Sequence, residues 1–130
     1  MEHASRIFWR IAQQILAEMQ AHAGEEKQLR EYRKVAGQVL FYAGINSIEE
    51  VLARKVSAYA VGNHQKRGEL LSKHLMLFGR DGEKILRYYR ILTDQGTDYR
   101  RKVAYKGENG SKFALLKEFT QMCMEAGGNA

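Results

Sequence analysis

The sequence YRKVAGQVLFYAGINSIEEVL, residues 32–52, decides the fold, because an apolar helical pattern meets a glycine and a capping pattern within it. Apolar residues recur at helical spacing up to Ala43, so one side of this segment is predicted to be buried. Gly44 follows where a left-handed C-cap residue is favourable. Ser47 and Glu50, three residues apart, match the capping box that begins a helix. We therefore expect one core helix to end at Gly44, a second to begin directly after it, and the other elements to pack around this corner.

The composition predicts a single all-helical domain. The chain has 130 residues, of which 45% are hydrophobic and 28% charged, which is enough for one core. It contains no proline and 12 glycines, and most of these glycines separate segments with helical apolar spacing. We expect an all-α fold, a compact bundle of about five to seven short helices over residues 1–130, with a frayed tail at 127–130.

Apolar spacing also predicts where the other helices lie. The helix after the Gly44 corner is expected over residues 48–61, and the remaining helices over 5–22, 65–78, 82–95 and 112–126. Asp81 is a candidate N-cap for the helix over 82–95. The inward stripe of the first helix is predicted to be Ile7, Phe8, Ile11, Ile15, Leu16 and Met19. That of the helix over 82–95 is predicted to be Ile85, Leu86, Tyr89 and Leu92.

Residues 98–106 fit either a short helix or a strand, because Tyr99 lies on an apolar face in both. We expect the helix. In the alternative, Asn109 and Gly110 form a hairpin tip and Phe113 lies in a return strand, which would give a winged-helix arrangement.

The positive charge is concentrated in the second half of the chain. The net charge is +6; residues 1–50 carry six Lys or Arg against seven Asp or Glu, whereas residues 51–130 carry fifteen against eight. The excess is densest over residues 84–106, where only Asp94 and Asp98 oppose seven cations. Such a stripe is either a solvated helix face or a surface that attracts phosphate.

Tyrosines within the basic stripe favour the nucleic-acid interpretation. Tyr88, Tyr99 and Tyr105 would offer faces on which bases stack, if they are exposed, although Tyr99 and Tyr105 fit the core equally well. We expect single-stranded nucleic acid, RNA more readily than DNA, bound through its phosphates without base-specific readout. The candidate nucleic-acid-binding residues are Lys84, Arg87, Arg90, Arg100, Arg101, Lys102 and Lys106.

Catalytic and metal-binding patterns are missing from the sequence, so a non-catalytic protein without a metal or cofactor is expected. There is no phosphate-binding glycine loop, no nucleophile elbow and no helix with paired metal ligands. His74 lies on an apolar helix face, and the four histidines have no ligand spacing. Cys123, the single cysteine, is expected to be inert packing. The absence of an apolar run of signal or membrane length predicts a soluble, cytoplasmic protein with no membrane partner.

Four parts of the sequence resemble a known family. They are an N-terminal amphipathic helix around Arg6 to Leu16, then Glu31-Tyr32-Arg33, Ala36, Leu40 and Ala43-Gly44-Ile45, then Tyr99-Arg100, and finally Leu115, Leu116, Lys117 and Phe119. Their order is similar to that in the small all-helical subunit of Cmr-type (type III-B) CRISPR effector complexes. The resemblance implies a non-catalytic subunit that stacks on copies of itself and lines a basic groove along RNA.

Shorter likenesses and one competing class remain open. Residues 43–50 are similar to the hairpin of helix-hairpin-helix modules, and residues 66–78 to a C-terminal segment of phage small terminase subunits. The competing class is a phage or mobile-element protein-binding module, of the immunity or defence-inhibitor type, whose basic face contacts an acidic protein. Salt dependence separates the two, because phosphate binding weakens steeply with salt.

Overall fold

A computed structural model describes residues 2–56, 63–94, 106–108 and 110–128. The α-helices in these ranges are α1 (Ala4–Ala21), α2 (Glu26–Val56), α3 (His64–Lys73), α4 (Gly82–Thr93) and α5 (Ser111–Ala126), and a 3-10 helix (Leu75–Asp81) joins α3 to α4. These ranges contain no strand. The prediction of an all-α fold is confirmed.

The predicted corner at Gly44 is wrong, because Gly44 lies inside α2, a single helix of 31 residues. Gly44 is not among the glycines with positive φ. Its role is close packing: a Cβ atom at Gly44 would lie 2.6 Å from Cε2 of Phe119 on α5. The missing side chain therefore lets α5 approach α2. Burial of both sides of α2 favours an unbroken helix over the local cap signal.

The predicted capping box is also wrong, since no helix begins at Ser47. The Ser47 hydroxyl instead donates to the Cys123 carbonyl on α5 at 2.7 Å. The Glu50 carboxylate accepts from the Ser5 backbone N–H at 3.2 Å and from the Ser5 hydroxyl at 2.5 Å. Glu50 thus supplies the cap of α1, whose own N-cap residue, His3, makes no side-chain cap bond. Both polar side chains hold other helices to α2.

Helix α2 is the central element of the fold. Helix α1 runs antiparallel to it, with Ser5 beside Glu50 at one end and His22 hydrogen-bonded to Tyr32 at the other. Helix α5 runs parallel to it, because Thr120 donates to the Leu40 carbonyl at 2.8 Å and Ser47 meets Cys123 further along both helices. The core lies between α2 and these partners, with Leu40, Ile48 and Phe119 fully buried.

The predicted inward stripe of α1 is only partly buried. Ser5 and Ala12, two turns apart, are the fully buried residues of this helix. These small side chains make the close contact with α2, so α1 is rotated relative to the prediction. Ile7 and Ile11 consequently remain 42% and 39% exposed, next to Tyr42 of α2, which is 43% exposed and contacts Phe8.

The helix predicted over residues 65–78 ends five residues early. His74 caps α3 through its backbone N–H, which donates to the carbonyls of Leu70 and Leu71. The chain then forms the 3-10 helix, in which Gly79 takes φ +68°. This conformation is strained for other residues, and it redirects the chain into α4. Asp81 stands at the predicted N-cap of α4 but makes no side-chain cap bond.

The inward face predicted for α4 is confirmed: Ile85, Leu86, Tyr89 and Leu92 are all buried. The return strand predicted in the winged-helix alternative is wrong, because Phe113 is buried within α5. The predicted helix or strand over 98–106 lies outside the described residues except for Lys106. At the other end of α5, the Gly127 carbonyl accepts from Arg54 of α2 at 3.0 Å.

Candidate nucleic-acid interface

The predicted basic residues of α4 lie on three sides of its outer surface. Burial of the four apolar positions fixes the helix orientation, because side chains three and four residues apart share a face. Lys84 faces α5, where it contacts Glu118. Arg90 faces α3 and lines the groove between the two helices. Arg87 lies between them and is exposed. The predicted stripe therefore has two different sides: on the α5 side Lys84 is paired with Glu118, and on the α3 side Arg90 lines a groove.

The side of α4 that faces α5 contains a cluster of charged and aromatic groups around Glu118. Lys84 donates to one carboxylate oxygen of Glu118, and the Tyr88 hydroxyl donates to the other at 3.1 Å. The Lys84 ammonium and the Arg87 guanidinium lie 5.6 and 5.7 Å from the centre of the Tyr88 ring. Sequence reasoning missed Glu118, which lies 34 residues from Lys84 and becomes its neighbour only through packing of α4 on α5.

The electrostatics of this cluster are those of a mutually stabilised ion pair. The hydrogen bond from Lys84 holds the pKa of Glu118 below its usual value of 4.5, and the charge of Arg87 adds to the effect. The same hydrogen bond raises the pKa of Lys84 above 10.5. Lys84 is thus partly neutralised by Glu118. Because the Tyr88 ring is approached by two cations and is half-buried, it does not present the bare stacking face that the sequence suggested.

Arg87 and Arg90 are the strongest phosphate-binding candidates of α4. Both side chains are exposed, and neither forms an ion pair with a carboxylate within residues 2–56, 63–94, 106–108 and 110–128. A guanidinium offers a planar fork of donors that matches phosphate oxygens. Within the described residues, these two arginines can therefore accept phosphates without first breaking an ion pair.

The groove between α3 and α4 extends the basic surface beyond the prediction. It has a volume of about 590 Å³, with Glu69, Ser72 and Lys73 on the α3 side and Arg90 and Thr93 on the α4 side, so two cations and one carboxylate line it. Lys73 is exposed and, like Arg90, has no carboxylate partner in the described part of the chain. The sequence could not show that Lys73 belongs to this basic surface, because nothing in it indicates that α3 lies beside α4. Lys73 joins the candidate site.

A buried polar network forms the base of this groove. Arg67 of α3 is 6% exposed and donates to Glu49 of α2 at 2.6 and 3.0 Å. It also donates to the Tyr89 hydroxyl at 3.3 Å, and that hydroxyl donates to the His64 carbonyl at 2.7 Å. Burial opposes the charge of Arg67, but the hydrogen bonds to Glu49 and Tyr89 outweigh it and raise its pKa. Arg67 therefore fastens α3 to α2 and α4.

The remaining predicted site residues lie elsewhere or are not described. Lys106 is exposed in the turn before α5. The next residue, Gly107, accepts a hydrogen bond from Nε of Arg33 at 2.7 Å, so Lys106 lies near the beginning of α2. The other predicted cations, Arg100, Arg101 and Lys102, lie outside the described residues, as do Tyr99 and Tyr105.

The described residues offer neither a metal site nor a reactive thiol at this surface. Within the described residues, no three His, Cys, Asp or Glu side chains form a metal-binding group. Cys123 is fully buried, and burial raises the pKa of its thiol well above 9.0. A buried neutral thiol is a poor nucleophile. None of the helices in the described ranges is long and apolar enough to cross a membrane.

Comparison with known proteins gives no relative: no family model, curated protein or solved structure matches the chain.

Proposed function

We propose that the protein is a non-catalytic, cytoplasmic nucleic-acid-binding subunit that holds single-stranded RNA by its phosphates on the outer surface of α4. The observation that carries the proposal is the pair of exposed arginines, Arg87 and Arg90, without carboxylate partners in the described part of the chain. Across the groove from Arg90, Lys73 of α3 adds a third cation that has no carboxylate partner within the described residues. Exposed cations on neighbouring helices favour phosphate over a neutral ligand.

The surface supports backbone contact more than base recognition. Between the exposed carboxylates Glu83 and Asp94 at its two ends, α4 exposes the guanidinium groups of Arg87 and Arg90, which position a strand without reading its sequence. A subunit of this kind would follow an RNA held mainly by other proteins, which agrees with the resemblance to the small subunit of type III-B CRISPR effectors. Assembly with other subunits or with copies of itself is part of the same proposal.

The test is the affinity for mixed-sequence RNA at two salt concentrations, measured for the wild type and for Arg87→Glu/Arg90→Glu. We expect the double variant to bind at least ten-fold more weakly, because two phosphate contacts become repulsive. A matched control is Arg6→Glu/Lys27→Glu, which makes the same charge change at exposed residues of α1 and the first turns of α2. Equal affinities of the two double variants, or affinity that ignores salt, would contradict the proposal.

The second candidate is a protein-binding module of the immunity or defence-inhibitor type, whose basic face would contact an acidic protein. The observation that favours a protein contact is the exposed apolar surface of α1 and α2, which includes Ile7, Ile11, Val35 and Tyr42 at 39–51% exposure. Exposed apolar surface is typical of protein contacts. In that case affinity for the protein partner would depend on the apolar residues of α1 and α2 as well as on Arg87 and Arg90, and RNA would bind to neither surface.

A further inference from the structure

The carboxylate of Glu118 occupies a position that suits a bound oxyanion. One of its oxygens accepts from the Lys84 ammonium and the other from the Tyr88 hydroxyl at 3.1 Å. Arg87 stands on the same side of α4, with its guanidinium 5.7 Å from the centre of the Tyr88 ring. Two donors, of which Lys84 is a cation, and Arg87 as a second cation nearby thus surround one anionic group of the protein itself.

We infer that Lys84, Tyr88 and Arg87 form a phosphodiester-binding site that Glu118 closes in the free protein, so that an RNA phosphate binds there by displacing the Glu118 carboxylate. The inference rests on the proposed function and extends it, because it names a site for one phosphate and the group that competes for it. The carboxylate stands in for the two non-bridging phosphate oxygens, which accept hydrogen bonds from the same kinds of donor.

Because the Lys84–Glu118 ion pair is exposed, breaking it requires little free energy. The side chains of Lys84 and Glu118 are 40% and 45% exposed, so water solvates the carboxylate once it leaves. Exposed ion pairs contribute little to folding, and salt weakens them further. Displacement therefore replaces one solvated contact with another and leaves the packing of α4 on α5 intact.

The aromatic ring keeps the donors in place when the carboxylate leaves. The Lys84 and Arg87 charges both lie within 6 Å of the Tyr88 ring centre, a distance at which a cation is attracted to the ring. Tyr88 is half-buried on α4, so its ring holds the hydroxyl oxygen near the site, and the hydroxyl can turn to donate to a phosphate. The site stays organised for a phosphate after Glu118 swings away.

The experiment compares Glu118→Gln with Glu125→Gln, using the full chain and the same mixed-sequence single-stranded RNA. Both variants remove one negative charge from α5, but Glu125 contacts Gln121 and lies two turns from Glu118. Glu118→Gln should bind RNA roughly two- to five-fold more tightly than Glu125→Gln, because Lys84 is released. The slope of log affinity against log salt should be similar for the two variants, because the same phosphate is bound in both.

A third variant assigns the gain to Lys84. Adding Lys84→Gln to Glu118→Gln should lower the affinity and reduce the salt slope by about 0.7, the value for one phosphate on a single strand, because the cation that holds this phosphate is then removed. If wild type binds RNA with strong salt dependence but Glu118→Gln and Glu125→Gln have equal affinities, this inference is overturned while the proposed function stands. If wild type shows no salt-dependent RNA binding, both are overturned.

Discussion

At the residue scale, the pair of Lys84 and Glu118 illustrates why the sequence prediction of the site was incomplete. The sequence places Lys84 on the same helix as Arg87 and Arg90, and helical periodicity puts all three on the outer surface, which the structure confirms. It does not reveal that Glu118, on a different helix, neutralises only one of them. Lys73 was missed for the corresponding reason, since its neighbour Arg90 is brought close by tertiary packing.

The same pair predicts a defined pH dependence of stability. The folded-state pKa of Glu118 is below 4.5, so its contribution is present above pH 4.5 and is lost as the pH falls through the folded-state value. The folded-state pKa of Lys84 is above 10.5, so its contribution is present below pH 10.5 and is lost as the pH rises further. The pair stabilises the fold between these limits.

Urea midpoints of the wild type and Glu118→Gln, measured across the pH range, check this dependence. The wild type should be slightly more stable near neutral pH, and the difference should disappear as the pH falls through the lowered pKa of Glu118 and the carboxylate is protonated. Added salt should reduce the difference at neutral pH, because the pair is exposed. A difference between the two proteins that does not change from neutral pH to acid would show that the effect does not come from the ion pair.

At the element scale, α2 shows how tertiary contacts override local signals. Gly44, Ser47 and Glu50 form a pattern in the sequence that is typical of one helix ending and another beginning. In the structure, Gly44 lets α5 pack closely, Ser47 donates a hydrogen bond to α5, and Glu50 accepts hydrogen bonds from α1. The apolar periodicity before and after Gly44 predicted most of the buried face: Leu40 and Ile48, one from each half, are fully buried, whereas Val35, also predicted to be buried, is 51% exposed. Local patterns alone could not show that both halves belong to one continuous helix.

Gly44→Ala tests the packing of α5 on α2. Alanine favours a helix over glycine by about 1 kcal/mol, so an unconstrained site would become more stable. Here the new Cβ would lie 2.6 Å from the fully buried ring of Phe119, and we expect a net loss of about 1–2 kcal/mol in the free energy of unfolding.

A double variant identifies the cause. Phe119→Leu opens space opposite Gly44, so Gly44→Ala should be less harmful in that background, and the two effects should not add. Chemical denaturation of the four proteins gives the coupling. A more stable Gly44→Ala protein would mean that α5 does not approach α2 at this point.

At the scale of the whole molecule, two surfaces differ in chemistry. The outer surface of α4 and the groove toward α3 are basic, whereas the outer surface of α1 and α2 exposes Ile7, Ile11, Val35 and Tyr42. The sequence predicted the all-α class from glycine spacing and helical periodicity, and it predicted the basic half from the charge distribution. It did not predict the apolar surface, because the rotation of α1 depends on the close approach of Ser5 and Ala12 to α2.

The most direct test of the central claim is a map of backbone amide chemical-shift changes as mixed-sequence single-stranded RNA is added to the protein. Because phosphate contacts are proposed at Arg87, Arg90 and Lys73, the largest changes should fall on α4 and the end of α3. They should also diminish as salt is raised. Changes confined to the apolar surface of α1 and α2, or changes on α4 that persist at high salt, would contradict the claim that this face holds RNA by its phosphates.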